Sequence, residues 1–475
     1  MQGGNYMGND IYVAPKVSVK AVNQFFRTMT EVLGEIHCIE IYQHGGLILR
    51  IAPPPYHVTD KRLVFSLSKS FTSTAVGFLV DEGKLSVEDH IIDFFPDKLP
   101  DEVPENLKKM QIKHLLSMNT GHESCVKTKI QDEDDAVRAF LRQPVPYEPG
   151  THFSYNTGGT CMLDAIVEKV SGKKLIDFLT EKLFVPLGIA GHRFNYLYDG
   201  TSDGGSGFHV SCDDIAKVGL LYLNKGNWNG KQILSEKWVN EATHMVSDNS
   251  GWGGPDWCAG YGYQFWMNSR GGFRGDGAGG QLCYVIPEQD MVIAVQAWLG
   301  NMQTEINIMM DFLPHLFDND EPEPLVLPDY GAKPSDKKVS GFEGKYYRLP
   351  ANDRDLVGLY FEYDGVEQAL STVFVNTTEH LLLKAGNGRY EESIFPERVA
   401  TTKPLGRASS ADIRLNRIAT SYAAEDGRID LTLRYLSSPF IRKLSFIFEG
   451  DEVKICQDHD GKIDPEKPDL VGHLT

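Results

Sequence analysis

The apolar and polar positions of this 475-residue chain fall into two textures. From Val17 to Leu33, Val22, Phe25, Phe26, Met29, Val32 and Leu33 recur at helical spacing and predict an amphipathic helix. The stretch "CIEIYQHGGLILRIA" then alternates, turns at Gly45-Gly46 and alternates again, the pattern of a β-hairpin. Ser68 to Val80 has no breaker except Gly77, and Ala75, Val76, Leu79 and Val80 give it a buried helical face. A mostly helical middle section runs to "LLYLNKGNWNGKQI". Gly-rich loops follow. Then "GQLCYVIPEQDMVIAVQAW" reads as two strands about a Pro-Glu-Gln-Asp turn, with a last helix from Gln303 to Phe317.

Residues 318–341, "DNDEPEPLVLPDYGAKPSDKKVSG", are rich in proline and charge and read as a linker. Beyond them the texture changes to short alternating runs such as "GLYFEYDG", "STVFVNT", "RIDLTLRYL" and "KLSFIFEGDEVKICQD", separated by Gly, Asn and Asp turns. Regular strands without a helical stretch predict a small antiparallel barrel or sandwich. The expected architecture is therefore an α+β domain over 1–317, a linker over 318–341 and an all-β domain over 342–475. In the first domain an antiparallel sheet is flanked by helices and joined by a mostly helical second lobe.

Charge and cysteine content narrow the partners. A formal net charge of −18 argues against nucleic acid and anionic membrane surfaces, both of which need clustered Lys and Arg. No run of about 18 apolar residues could span a bilayer. The seven cysteines show neither a disulfide framework nor C-x-x-C metal spacing, which fits a reducing compartment. The opening "MQGGNYMGNDIYVAPK" has no basic segment followed by an apolar one, so a cytoplasmic location is expected.

The candidate chemistry starts at Ser66 and Lys69. The spacing S-x-x-K occurs four times, at Ser66/Lys69, Ser124/Lys127, Ser171/Lys174 and Ser335/Lys338. Ser171 precedes Gly172 at a helix end, Ser335 lies in the linker and Ser124 in a polar loop. Only Ser66 stands where the chain leaves a strand region and enters a buried helix, where positions i and i+3 share a face. Burial and the positive helix end would lower the Lys69 pKa, and such a lysine beside a hydroxyl suits covalent acyl transfer. The same spacing also describes a capping serine with a lysine reaching out to solvent.

Ser66-Leu-Ser-Lys69 with "SFTSTAVG" and "DEGKLSVEDHI" resembles the first motif of the serine β-lactamase and penicillin-binding-protein-like superfamily, in its class C-like branch. That branch also holds esterases and D-amino-acid peptidases. The resemblance continues in order through "IKHLLSMNTGH", "YEPGTHFSYNTGG", "YGYQFW" and "GAGGQLCYVIPEQD", covering roughly residues 17 to 317. It implies a β-lactamase/transpeptidase-like fold, with Ser66 as nucleophile and Lys69 as its proton partner. The β texture of the C-terminal domain resembles the lipocalin-like appendages of some relatives.

The second motif of that family is Tyr-x-Asn. Its literal match is Tyr222-Leu-Asn224, at the end of the apolar helix "IAKVGLLYL" and better read as a packed core tyrosine. "EPGTHFSY" points instead to Tyr155, with Thr157 where the family usually has Asn. The family role implied for Tyr155 is general acid or base. The third motif, usually Lys-Thr-Gly or His-x-Gly on a strand lining the site, matches Ala278-Gly279-Gly280, so the family's cation is absent. The resemblance then implies an oxyanion hole from the N–H groups of Ser66 and Gln281, with Gly279 and Gly280 letting substrate approach. Trp252 and Trp257, in a Gly- and aromatic-rich segment, are candidate pocket walls.

The expected function is a serine hydrolase acting on a small ester, amide or peptide, through an acyl-enzyme on Ser66 and without metal or cofactor. Esterase or D-aminoacyl amidase fits better than a true β-lactamase, whose drug carboxylate needs the missing cation. The alternative is a ligand-binding or sensor protein of the same fold that acylates slowly or not at all. Its motivation is the pair of departures at Thr157 and Ala278.

Overall fold

The computed structural model describes residues 10–331, 333–335, 341–342, 344–352, 355–396, 415–458 and 468–475. Residues 332 and 336–340 of the expected linker, Lys338 among them, lie outside these. The chain forms two compact units that meet in sequence at Pro328 and Asp329.

In the first unit, strand β1 (Ile11–Val13) precedes helix α1 (Val19–Val32), which Ser18 caps by accepting the Ala21 N–H at 3.0 Å. Val22, Phe25, Phe26 and Met29 of α1 are buried, as their spacing predicts, while Val32 at the last turn is exposed. The hairpin follows as β2 (Gly34–Gln43) and β3 (Gly46–Ile51). Its turn is His44-Gly45, both with positive φ, one residue earlier than the glycine pair suggests. After α2 (Ser68–Asp81), α3 (Lys127–Ile130), α4 (Thr157–Ser171) and α5 (Cys212–Leu223), the sheet is completed by four strands. These are β4 (Trp266–Met267), β5 (Phe273–Gly277), β6 (Gln281–Ile286) and β7 (Met291–Leu299), and α6 (Met302–Phe312) follows them.

The seven strands are antiparallel throughout, in the order β1-β3-β2-β7-β6-β5-β4. Both faces are covered, so side chains of either parity are buried. Leu282, Tyr284, Ile293 and Val295 face the core shared with α1 and α6, where Phe25 stacks on Phe312 at 4.7 Å. Cys38, Cys283, Val285 and Val292 face the opposite core with α5 and the helical lobe. Glu40 is fully buried, bonded to Arg50 across the strand pair at 2.7 Å, and Arg50 reaches Asp213 of α5 at 3.0 Å. Burial pushes the Glu40 carboxyl up to about 7 despite Arg50.

Helix α2 runs through the middle of the lobe. Every residue from Ser68 to Leu79 is buried, not one face only. Its hydroxyls are satisfied internally: Ser70 donates to Gln264 O at 2.9 Å, Thr72 to Gly204 O at 3.0 Å and Ser73 to Tyr263 O at 2.7 Å.

The stretch after α6 is docked over its first half. Asp320 accepts from Ser18 Oγ at 2.6 Å, Asn23 donates to Glu323 and accepts the Val326 N–H, and Leu325 and Leu327 pack on the α1/α6 core.

The second unit is a closed barrel, antiparallel except for one short parallel pairing that closes it. Its strands are β8 (Tyr346–Arg348), β9 (Leu356–Asp364), β10 (Ala369–Asn376), β11 (His380–Asn387), β12 (Glu391–Pro396), β13 (Leu415–Glu425), β14 (Arg428–Tyr435), β15 (Ile441–Glu449), β16 (Glu452–Gln457) and β17 (Leu470–Leu474). The order β11-β10-β9-β8-β17-β16-β15-β14-β13 closes where Gly386 and Asn387 pair with Ser421 and Tyr422, and β12 adds to β13. Closure removes the exposed strand edges. Leu359, Phe361, Phe374, Leu383, Leu431 and Phe446 fill its core.

Among the described residues, no helix is long and apolar enough to cross a membrane, and no group of three or more His, Cys, Asp or Glu is placed to hold a metal ion. All seven cysteines are free thiols.

Candidate active site

Ser66 sits in a single 3₁₀ turn, Phe65–Leu67, that leads directly into α2. Phe65 has φ +45°, a strained value for a bulky residue that presents the next side chain at the mouth of the helix. Ser66 is half-buried, whereas Lys69, one turn on, is only 1% exposed. Lys69 Nζ lies 3.0 Å from Ser66 Oγ and donates to the Gly205 carbonyl at 2.7 Å. Burial, then the nearby Lys127 cation, lowers the Lys69 ammonium to about 8. Lys69 therefore points inward and does not snorkel.

Tyr155 precedes α4. Asn156 caps that helix, its Oδ1 accepting the N–H groups of Gly158 and Val126 at 3.1 Å each, and Ser154 N–H donates to Met118 O at 2.9 Å. The turn so fixed sets the Tyr155 ring 4.9 Å below the Lys69 ammonium, with its hydroxyl close enough to Ser66 to feel it. Burial, then the Asp276 carboxylate, pushes the Tyr155 phenol above its usual value. Thr157 is the first residue of α4, and a Cβ on Gly205 would meet its methyl at 2.5 Å. It packs under the turn whose carbonyl holds Lys69. Tyr222, by contrast, lies in the core with its hydroxyl 2.8 Å from Thr74 Oγ1 and its ring against Phe265.

The third motif is displaced from its expected register. Ala278, Gly279 and Gly280 form the turn beyond β5, not the strand that meets the nucleophile. Gly279 and Gly280 have φ +79° and +94°, and their backbone folds inward, where Cβ atoms would meet the Trp298 ring and Glu305 Oε2. Gln281 opens β6, two strands in from the β4 edge, paired with Gly277 and donating its side-chain amide to Ala297 O at 2.6 Å. The strand against the Ser66 turn is β5: a Cβ on Gly277 would lie 2.0 Å from Val64 O, and one on Gly275 would lie 2.5 Å from Ser70 Oγ.

Trp252 is 47% exposed and meets Phe153 edge-on at 5.3 Å, and Phe153 in turn packs on Trp266 and Tyr261. It stands on the rim of an aromatic cluster continuous with Tyr155. Trp257 packs on the same cluster, its ring edge-on to Trp266 at 6.3 Å, and lies under the Arg274 guanidinium at 4.4 Å.

Sequence reasoning passed over Arg274 and Asp276. Both are buried; Arg274 Nε donates to Asp276 at 3.0 Å, and Arg274 Nη1 donates to Asp256 O and Asn268 Oδ1. The signal was two opposite charges in "FRGDG", a strand otherwise of Phe and Gly. Lys127 was set aside with its loop. It is ion-paired to Asp203 at 2.6 Å, next to the turn that holds Lys69. Ser124 is exposed, Ser171 bonds locally to the Lys173 backbone, and Ser335 donates to Ala424 O in the barrel.

A strained serine turn, a buried lysine beside it and a phenol across from both, placed between an antiparallel sheet and a helical lobe, define a serine-hydrolase fold. Residues 41–299 match the Beta-lactamase family model, and the chain belongs to that family. It is 26% identical over 262 residues to the 6-aminohexanoate-dimer hydrolase of Paenarthrobacter ureafaciens, covering 50% of this chain and 67% of that protein. Other curated relatives are matched over 32–55% of their own length. A putative 6-aminohexanoate-dimer hydrolase from Bacillus anthracis shares the fold with a TM-score of 0.52 at 20% identity, covering 65% of this chain and 86% of that one. The octameric penicillin-binding protein homologue from Pyrococcus abyssi aligns over 92% of this chain and 97% of its own, with a TM-score of 0.50 at 17% identity.

Proposed function

We propose that the protein hydrolyses an ester or amide bond of a small substrate through an acyl-enzyme on Ser66. The carrying observation is Lys69 Nζ at 3.0 Å from Ser66 Oγ, in a setting that lowers its ammonium to about 8. A buried lysine so close to neutrality takes the Ser66 proton as the oxygen attacks the carbonyl. Tyr155, kept as a phenol by burial and by Asp276, gives a proton to the leaving group and is recharged from the Lys69 ammonium. Water then attacks the acyl carbonyl by the reverse route. Because β5 meets the Ser66 turn through Gly277, we assign the second oxyanion donor to the Ala278 N–H, in the turn just beyond that strand, in place of Gln281.

The substrate class follows from charge. Along the strand that meets the Ser66 turn, Gly275 and Gly277 offer no cation for a drug carboxylate, and Asp276 between them is ion-paired with Arg274. Neutral esters and aminoacyl amides suit this site better than penicillins. The test is intact mass after a fluorophosphonate, followed by turnover of activated esters and D-aminoacyl anilides. One adduct on Ser66, absent from Ser66→Ala, with turnover of one class is the expected result; no adduct on the folded wild type would sink the reading.

A further inference from the structure

The turn at 203–207, which offers the Gly205 carbonyl to Lys69, is gripped by three helices. From α3, Lys127 Nζ reaches both Asp203 oxygens at 2.6 Å and bonds the Ser206 hydroxyl, which itself donates to Asp203 Oδ2 at 2.9 Å. From α4, Asp164 accepts the Gly204 N–H; from α2, Thr72 donates to the Gly204 carbonyl at 3.0 Å. The Lys127 segment is also tied to the Tyr155 turn through Val126 N–H and Asn156 Oδ1. Lys127 and Asp203 keep only 16% and 13% of their side-chain surface exposed.

We propose that Lys127 and Asp203 are positioning residues for Lys69: their ion pair clamps the turn that holds the lysine, and their opposite charges balance its proton affinity. The inference rests on the reading of Lys69 as the Ser66 proton acceptor.

The surroundings of Lys69 give the reason. Lys127 and Cys125 face it from α3 and the loop before it, Asp203 from the turn, Cys161 from α4 and Asp276 from β5, with Ser66 and Tyr155 in direct contact. Of these charges Lys127 disfavours the ammonium most, and Asp203 opposes it. Intact, the two charges oppose each other at Lys69, with Lys127 the stronger. Broken on either side, the pair leaves one uncompensated charge close by in a poorly solvated site, where such charges act strongly. The two single variants must therefore move Lys69 in opposite directions. A clamp with a purely mechanical role would not do this.

The experiment uses the full chain with ¹³Cε-labelled lysine. The Lys69 resonance, identified by its loss in Lys69→Ala, is titrated by NMR in wild type, Lys127→Met, Lys127→Arg and Asp203→Asn. In parallel, the rate of Ser66 labelling by a fluorophosphonate is followed against pH. The Lys69 midpoint and the acid limb of labelling should rise by roughly one pH unit in Lys127→Met, fall by a similar amount in Asp203→Asn, and return near wild type in Lys127→Arg. Shifts of the same sign in the first two, or none in either, overturn the proposal. If Asp203→Asn does not fold, Lys127→Met and Lys127→Arg decide it, and equal midpoints overturn it. A wild type that titrates as described but takes no label counts against the Ser66–Lys69 reading instead, so the two failures are distinct.

Discussion

The Tyr155 ring lies against Trp266, with centroids 5.3 Å apart and planes 18° apart. The phenol is thus held by its ring, which leaves its hydroxyl near Ser66 for chemistry. Tyr155→Phe should keep the stack and the fold but lose the proton donor. Its kcat on an activated ester should fall by roughly 10²–10⁴-fold with little change in melting temperature. Tyr222→Phe removes only the bond to Thr74, so it should cost about 1 kcal/mol of stability and leave kcat nearly intact. Both variants are measured on one ester with melting curves alongside. A dead Tyr222→Phe with an active Tyr155→Phe would reverse the assignment.

The pH dependence follows from Lys69. Its lowered ammonium makes the neutral, proton-accepting form dominate above about pH 8, so acylation should rise with pH and level off past that point. Single-turnover rates of acylation from pH 6 to 10 check this; a flat profile contradicts it. The same group carries a stability signature. The unfolded lysine holds its proton to a higher pH than the folded one, so between the two values the unfolded state binds more protons. Stability from Lys69 therefore increases with pH across that window. Urea midpoints for wild type and Lys69→Met at pH 8 and pH 10 isolate it.

Penicillins should acylate Ser66 poorly, at least 10²-fold more slowly than a neutral activated ester of similar size, because β5 presents no unpaired cation to their carboxylate, Arg274 being bound to Asp276. Asp276→Asn leaves Arg274 unbalanced and should narrow that gap by roughly tenfold. Stopped-flow acylation with benzylpenicillin and the ester, on both proteins, gives the ratio. Efficient turnover of benzylpenicillin by the wild type would refute the charge argument.

Arg50→Met strands the buried Glu40 carboxylate beneath α5. The variant should lose about 3–5 kcal/mol near pH 8, as for a buried pair deprived of one partner. Glu40 has a folded value near 7, above that of an exposed glutamate, so the folded state binds the extra proton below this point. The deficit should shrink as pH falls from 8 to 5. Denaturation midpoints at both values test it, and an equal deficit would mean the lost packing of Arg50 dominates.

Short-range pattern decided the elements. The stripe of Val22, Phe25, Phe26 and Met29, the unbroken run after Ser68 and the alternation beyond residue 342 became α1, α2 and the barrel, because helical and strand periods select one buried face from local spacing alone. The serine and lysine of the site were legible for the same reason: three residues along a helix start, they must be neighbours. What spacing could not decide was which groups from distant segments meet them. The Gly205 carbonyl comes from 136 residues away, and Glu40 is covered by a helix that starts near Asp213. Spacing could not tell which part of "GDGAGGQ" lies against the Ser66 turn, because the segment offers several closely spaced glycines. Only the packing of Gly275 and Gly277 against Ser70 and Val64 shows which of them must lack a side chain. Long-range burial sets these partners, and with them the proton affinities of Lys69 and Tyr155, because desolvation depends on what covers a group rather than on what precedes it in the chain.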